Sequence, residues 1–129
     1  MASELRVNTL KDASGNNSVG LSYVANGSAK AWANFTTTTT TSILDSFNYS
    51  SIADNGTGDA SLTVTSAMAN INYAHLGMGG HGNTSLLTIM QQRNAHVPTT
   101  TVSRYQLAYV DATLFDAKFG AVGLTGDLA

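Results

Sequence analysis

Apolar and polar residues alternate with a period of two along most of the chain, which is the pattern of half-buried β-strands. In AKAWANF, for example, Trp32 lies on one side of the predicted strand and Phe35 on the other. No segment keeps helical spacing long enough to predict a helix. About seven short strands joined by Gly- and Asn-containing turns predict an all-β fold, an antiparallel β-sandwich head formed by residues 29–129. The Asn55-Gly56 pair indicates a hairpin turn. The predicted strands are AKAWANF, SILDSFNY, ASLTVTSAM, NINYAHLGMG, SLLTIMQQ, TTTVSRYQLAYV and the last apolar segment, TLFDAKFGAVGL.

Residues 1–28 have a different pattern, with a short apolar cluster on each side of the polar stretch KDASGNNS. Gly15, Asn16 and Asn17 tolerate the left-handed backbone of a tight turn, so the segment is predicted as an extended arm, a turn and a return arm. Two extended arms joined by a turn cannot bury their own apolar side chains, and we expect them to lie against a partner. The predicted contact residues of this attachment and oligomerisation arm are Leu5, Val7, Leu10, Val19, Leu21 and Tyr23.

Six consecutive threonines, residues 36–41, separate the first two predicted strands of the head. Threonine is β-branched and prefers extended backbone, and its hydroxyl is readily solvated. The run can therefore prolong two strands at the end of a hairpin without a core beneath it. We interpret it as a solvated hairpin tip rather than a binding surface.

Charged residues make up 11% of the chain, against about 25% in an average globular protein. A surface of Thr, Ser, Asn and Gly loses little side-chain entropy when it packs against another subunit or a sugar, which favours a part of an assembly. The net charge of -2 provides no basic surface for nucleic acid. Because the chain has no cysteine, it has neither disulfides nor thiolate metal sites. No stretch has the apolar length of a signal peptide or a bilayer span, so we expect a soluble protein made in a cytoplasm.

The histidines and acidic residues give no strong indication of catalysis. The spacing of His75 and His81 matches no helical ligand pair, and no carboxylate lies within LGMGGHGNTS. An ion shared by three subunits on an axis is the form of metal site left open. The aspartates are spread over separate turns, and neither a GxSxG elbow nor a phosphate-binding Lys-Ser/Thr pair is present. The sequence therefore predicts no catalytic residue, cofactor or protein metal site.

Two further features bear on ligand binding. Trp32 is the only tryptophan, and a core or subunit-interface position is favoured for it over stacking on a sugar. The Gly-rich loop predicted at residues 79–84 is the candidate receptor contact, because Gly lets backbone amides approach a ligand and His and Asn both donate and accept hydrogen bonds. A plain hairpin connection is the alternative interpretation. The candidate contact residues are Gly79, Gly80, His81, Asn83 and Thr84.

Three segments in order, SELRVNTLKDASGNNSV, NGSAKAWANF and DSFNYSSIADNGTGDASLTVTSAMANINYA, resemble small tail-fibre and other virion-appendage proteins of tailed phages of marine and freshwater bacteria. The resemblance covers residues 3 to about 75. It implies a virion location, a homotrimer, an N-terminal segment attached to other tail or capsid proteins, and a β-sandwich head similar in some members to sugar-binding lectin domains. The Thr run, the GMGGHGNTS segment and the C-terminal half depart from the pattern.

Three functions follow as expectations. The first is a trimeric tail fibre that attaches through its N-terminus and contacts host surface glycans, without nucleic acid or membrane insertion. The second is a capsid decoration protein or head fibre that binds no receptor. The third is a glycan-degrading enzyme, which is disfavoured because the sequence lacks a paired-carboxylate signature.

Overall fold

Two four-stranded antiparallel sheets form the body of the molecule. The computed structural model describes residues 3, 5–82, 87–92 and 95–129. Its elements are β1 (Thr9–Lys11), β2 (Ser18–Gly20), α1 (Leu21–Gly27), β3 (Ala29–Thr36), β4 (Ser42–Phe47), β5 (Tyr49–Asp54), β6 (Asp59–Val64), β7 (Ala74–Gly80), β8 (Thr88–Gln92), β9 (Val102–Tyr109) and β10 (Phe119–Thr125). Sheet I has the order β4-β3-β10-β7 and sheet II the order β5-β6-β9-β8. The predicted all-β antiparallel sandwich is confirmed.

The core lies between the two sheets and follows from the period-two alternation. In β3 the side chains of Ala31, Ala33 and Phe35 are buried, while Trp32 and Asn34 face outward. The other sheet contributes residues at the same alternate spacing from β6 and β9. Large apolar side chains each stabilise the fold by roughly 1.5–3 kcal/mol when fully buried. The principal core residues besides those of β3 are Tyr49, Leu62, Val64, Met68, Tyr73, Tyr105, Leu107, Phe115, Val122 and Leu124.

The chain passes from sheet I to sheet II at Asn48. The sequence predicts one strand over SILDSFNY, but β4 ends at Phe47 and β5 begins at Tyr49. Asn48 between them has a φ of 58°, a left-handed conformation that Asn tolerates better than most residues. The prediction of a single strand is therefore wrong, because the turn at Asn48 moves the second half of the segment into the other sheet.

The threonine run is partly buried. Thr36 ends β3, and Thr37 is 5% exposed. The N–H of Thr37 donates to the carbonyl of Ala117 at 2.9 Å, and its hydroxyl accepts from the N–H of Ala117 at 2.8 Å. The interpretation of the whole run as a solvated tip is therefore wrong for Thr37, although Thr39 and Thr40 are exposed.

The N-terminal arm contains a small hairpin followed by a short helix. Strands β1 and β2 pair across a turn in which Gly15 has a φ of 70°, as the sequence predicts. Leu21 and Tyr23 lie in α1, so the extended return arm is a wrong prediction. A helix of seven residues is too short for helical spacing to be distinguished from a period of two. No helix in the described part of the chain is long and apolar enough to cross a membrane.

Candidate functional site: an uncovered apolar sheet face

The outer face of sheet I, which points away from the core, is rich in large apolar side chains. The register places Phe47 of β4 beside Trp32 of β3, and Trp32 beside Gly123 of β10. Gly123 in turn lies beside Leu76 of β7, which completes one row across the sheet. We define the outer apolar face by its six large exposed side chains, Trp32, Leu44, Phe47, Leu76, Met78 and Phe119.

Small residues between these side chains leave depressions in the face. Ala121 of β10 pairs with Asn34 on one side and Met78 on the other. Because Ala121 and Gly123 project little, two open depressions of about 540 and 350 Å³ lie along the middle of the sheet. The edge strands β4 and β7 rise on each side with larger side chains. The face is therefore a groove with an apolar rim.

The face carries little charge. Among the described residues that line the two depressions, Asp45 is the one charged side chain. It lies on edge strand β4, and its Oδ1 accepts from the N–H of Ser46 at 2.8 Å. Lys30, also on the outward side of β3, points its ammonium group towards the arm, where it donates to the Ala25 carbonyl and to Ser28 Oγ. The desolvation penalty for covering this face is consequently small.

The N-terminal arm is a second apolar surface without cover. None of the described residues from 5 to 28 is buried, and Tyr23 is 76% exposed. Leu5, Leu10, Val19 and Leu21 are exposed as well, while Val7 is half-buried. The arm thus presents its predicted contact residues to its surroundings in the single chain.

The predicted receptor segment lies partly in a strand. Gly79 and Gly80 belong to β7 and pair with Gly120 and Phe119 of β10, so the prediction that they form a loop is wrong. A Cβ at Gly79 would come within 2.3 Å of Leu107 Cδ2. Glycine is therefore required here because the two sheets approach closely, a reason that involves no ligand.

The remaining receptor-segment residues are in different situations. The half-buried His81 ring packs near the rings of Tyr109 and Phe115, with centroid separations of 5.9 and 5.6 Å. Asn83 and Thr84 lie outside the described residues. The role of this segment in receptor contact stays a prediction.

A polar cluster lies in the core between the sheets. His75 Nδ1 is 2.8 Å from the hydroxyl of Tyr105, and the His75 ring is tilted by 42° against the Tyr73 ring, with the ring centroids 4.7 Å apart. Burial lowers the pKa of His75 and raises the pKa of Tyr105. Burial also raises the pKa of Tyr73 to about 12 and raises that of Tyr49 strongly. All four side chains are thus held neutral near pH 7, and their contacts join sheet I to sheet II.

The carboxylates described by the structure mostly hold turns and neighbouring side chains. Asp54 accepts from the N–H of Gly56, which is the main cause of its lowered pKa, and Thr113 does the same for Asp111. Asp59 forms a two-point ion pair with Arg104, at 2.7 and 2.9 Å. No group of three or more potential metal ligands comes together in the described ranges. Asp54, Asp59 and Asp111 are thus each engaged by a turn amide or by Arg104.

No family model, no curated protein and no solved structure matches the chain. The outer apolar face is the feature that sequence reasoning missed. The alternation assigns Trp32 and Phe35 to opposite sides of β3, but it does not say that the side bearing Trp32 lacks a covering layer. The sequence does contain one indication of this face. Leu76 and Met78 are two residues apart and therefore share one side of β7, while glycines occupy much of the other side.

Proposed function

We propose that this chain is a structural protein of a phage virion, a homotrimeric tail fibre that attaches to the tail through residues 1–28. The observation that carries the proposal is that one chain of low charge leaves two separate apolar surfaces uncovered, the arm and the outer apolar face. A protein that works alone in water rarely exposes so much apolar surface. A subunit of an assembly covers such surfaces with its partners.

The arm is suited to attachment. It continues directly into β3 at Ala29, and its apolar side chains are presented on a hairpin and a short helix. The resemblance of SELRVNTLKDASGNNSV to the N-terminal segment of virion appendages supports the same role. The sandwich head then projects from the particle, where contact with host surface glycans is the expected use of its far loops.

A capsid decoration protein or head fibre is the second candidate, since the same two surfaces would serve it equally. Imaging of particles that carry a labelled copy of this chain separates the two locations. A glycan-degrading enzyme is not favoured, because Asp54, Asp59, Asp111 and Asp116 are each tied to a turn amide or to Arg104. Incubation with host polysaccharide would expose such an activity.

The attachment role is tested by incorporation into particles. We expect a chain that starts at Ala29 to give a folded β-rich head by circular dichroism but to be missing from purified virions. In the full chain, Tyr23→Ser should reduce incorporation because it removes an exposed aromatic anchor. Ser22→Ala on the same helix serves as the matched control and should incorporate normally. Normal incorporation of the truncated chain would exclude the arm as the attachment segment.

A further inference from the structure

We propose that copies of this chain associate through the outer apolar face, with the faces of three subunits turned towards a common three-fold axis. The inference rests on the homotrimer of the proposed function and names the surface that forms it. The arm is then left free to reach the particle.

The outer apolar face exposes a large apolar area. The six large side chains of the face are between 37% and 72% exposed. With about 200 Å² for each fully exposed large side chain, these fractions leave roughly 700 Å² of apolar surface uncovered. The largest apolar patch of a typical monomer is about 300–600 Å², whereas a stable subunit contact covers about 800 Å² on each partner. The face therefore exceeds the largest patch of a typical monomer and approaches the area of a subunit contact.

The composition of the outer apolar face is that of an interface centre. Interface centres are enriched in aromatic residues and Met and depleted of charge, and the face combines Trp32, Phe47 and Phe119 with Met78. Its one charged lining residue, Asp45, lies on the edge strand, where it remains at the rim. A second copy of the same low-charge surface can cover this face without burying an unpaired charge.

The shape of the outer apolar face suits a repeated contact between copies. The groove over Ala121 and Gly123 is wide enough for side chains of a neighbour, and its walls carry flexible Leu76 and Met78 that can fill such a groove. A face that offers both a groove and a ridge suits a rotationally repeated contact, in which the ridge of each copy enters the groove of the next.

A glycan fits the face less well. Sugar hydroxyls need several donors and acceptors beside an aromatic platform. The described side chains that line the two depressions offer only Asn34, Asp45 and the indole N–H of Trp32 for this purpose. The hydroxyl-bearing edge of a sugar ring offers no apolar surface against which Leu44, Leu76 and Met78 could pack. The observations therefore favour a protein surface as the partner. A second copy of this chain is the favoured protein, because its own outer apolar face supplies a complementary surface.

The experiment uses the full chain and its single tryptophan, which lies on the face. We expect light scattering to give three times the 13.4 kDa chain mass and Trp32 fluorescence to be poorly quenched by acrylamide. Met78→Asp should raise the dissociation constant of the trimer at least about tenfold, as loss of an interface anchor does, and should shift Trp32 emission to longer wavelength. The control Val110→Asp changes an equally apolar, exposed residue in the turn directly after β9 and should alter neither measurement.

A second measurement covers the case in which Met78→Asp does not fold. Because the chain has no cysteine, Met78→Cys treated with a short bis-maleimide should give covalent dimers, while Val110→Cys should remain monomeric on a denaturing gel. A trimeric wild type whose mass and crosslinking are indifferent to position 78 overturns the inference and leaves the virion role standing. A monomeric wild type overturns the inference too, while particle imaging still decides the virion role. Loss of the trimer on Tyr23→Ser, with Met78→Asp unaffected, would assign the contact to the arm, and glycan-dependent protection of Trp32 in a monomer would assign the face to a sugar.

Discussion

The hydroxyl of Thr37 explains why one position of the threonine run is specific. Its Oγ accepts the backbone N–H of Ala117 at 2.8 Å in a buried setting, beside a second bond from the Thr37 N–H to the Ala117 carbonyl. The Thr36 hydroxyl also donates to that carbonyl, at 3.2 Å. A run that looks like low complexity therefore contains a docking point for the segment that precedes β10, 80 residues further along the chain.

We expect Thr37→Val to lower the free energy of unfolding by about 1–3 kcal/mol, since the change is nearly isosteric but leaves the buried Ala117 N–H without an acceptor. Thr40→Val in the same run is the control. Thr40 is exposed, and the change should alter stability by less than about 0.5 kcal/mol. Urea unfolding at one fixed protein concentration measures both, because association makes apparent stability depend on concentration. Equal effects of the two substitutions would show that the Thr37 hydroxyl has no special role.

At the scale of elements, the crossing between β4 and β5 depends on one side chain. Asn48 Oδ1 accepts from the N–H of Ser66 at 2.7 Å. Its Nδ2 donates to the carbonyl of Lys30 at 2.9 Å and to that of Ser66 at 3.2 Å. Asn48 thereby ties the start of β3 to the loop after β6 while its own backbone turns from sheet I into sheet II.

Substitutions at Asn48 separate its backbone role from its side-chain role. Asn48→Gly keeps the freedom for a φ of 58° but loses the three hydrogen bonds, and we expect a loss of about 1–3 kcal/mol. Asn48→Ala should cost roughly 1 kcal/mol more, because alanine is strained in the left-handed region. Thermal and urea unfolding measure the order of stabilities. An alanine variant at least as stable as the glycine variant would contradict a backbone contribution.

The sequence predicts those strands whose two faces differ in polarity within the strand itself. β3 has one apolar and one mixed face, and β6 alternates Leu62 and Val64 with polar residues, so both strands and the Asn55-Gly56 hairpin follow from local pattern. The break at Asn48 does not, because SILDSFNY keeps its alternation through the turn. The outer apolar face could not be predicted either, since its apolar side chains come from four strands whose neighbours are set only by tertiary pairing.

At the scale of the whole molecule, the two sheets are joined by a core that is partly polar. His75 comes from β7 in sheet I and Tyr105 from β9 in sheet II, and their side chains meet at 2.8 Å. Tyr73 donates its hydroxyl to the Thr99 carbonyl at 2.7 Å, which adds the loop before β9 to the same cluster. Packing of the sandwich therefore depends on the neutral form of His75, since a charged imidazole would have to be held beside buried phenols.

Stability should accordingly fall on mild acidification. Burial lowers the pKa of His75 in the folded state, so the unfolded chain, whose histidine has a pKa of about 6.5, takes up the proton first. Between this value and the lower folded pKa the unfolded state binds more protons, and the free energy of unfolding decreases as the pH falls. Protonation of the aspartates with lowered pKa, Asp54 and Asp111 among them, lowers the stability further only below a pH of about 4.

We expect the melting temperature of the wild type to drop between pH 7 and pH 5. The variant His75→Gln keeps a polar partner for the Tyr105 hydroxyl, and we expect it to be less stable at pH 7 but to show a smaller drop in melting temperature. Calorimetry at constant ionic strength and protein concentration tests this, and an identical pH dependence in both proteins would mean that a group other than His75 governs the acid response.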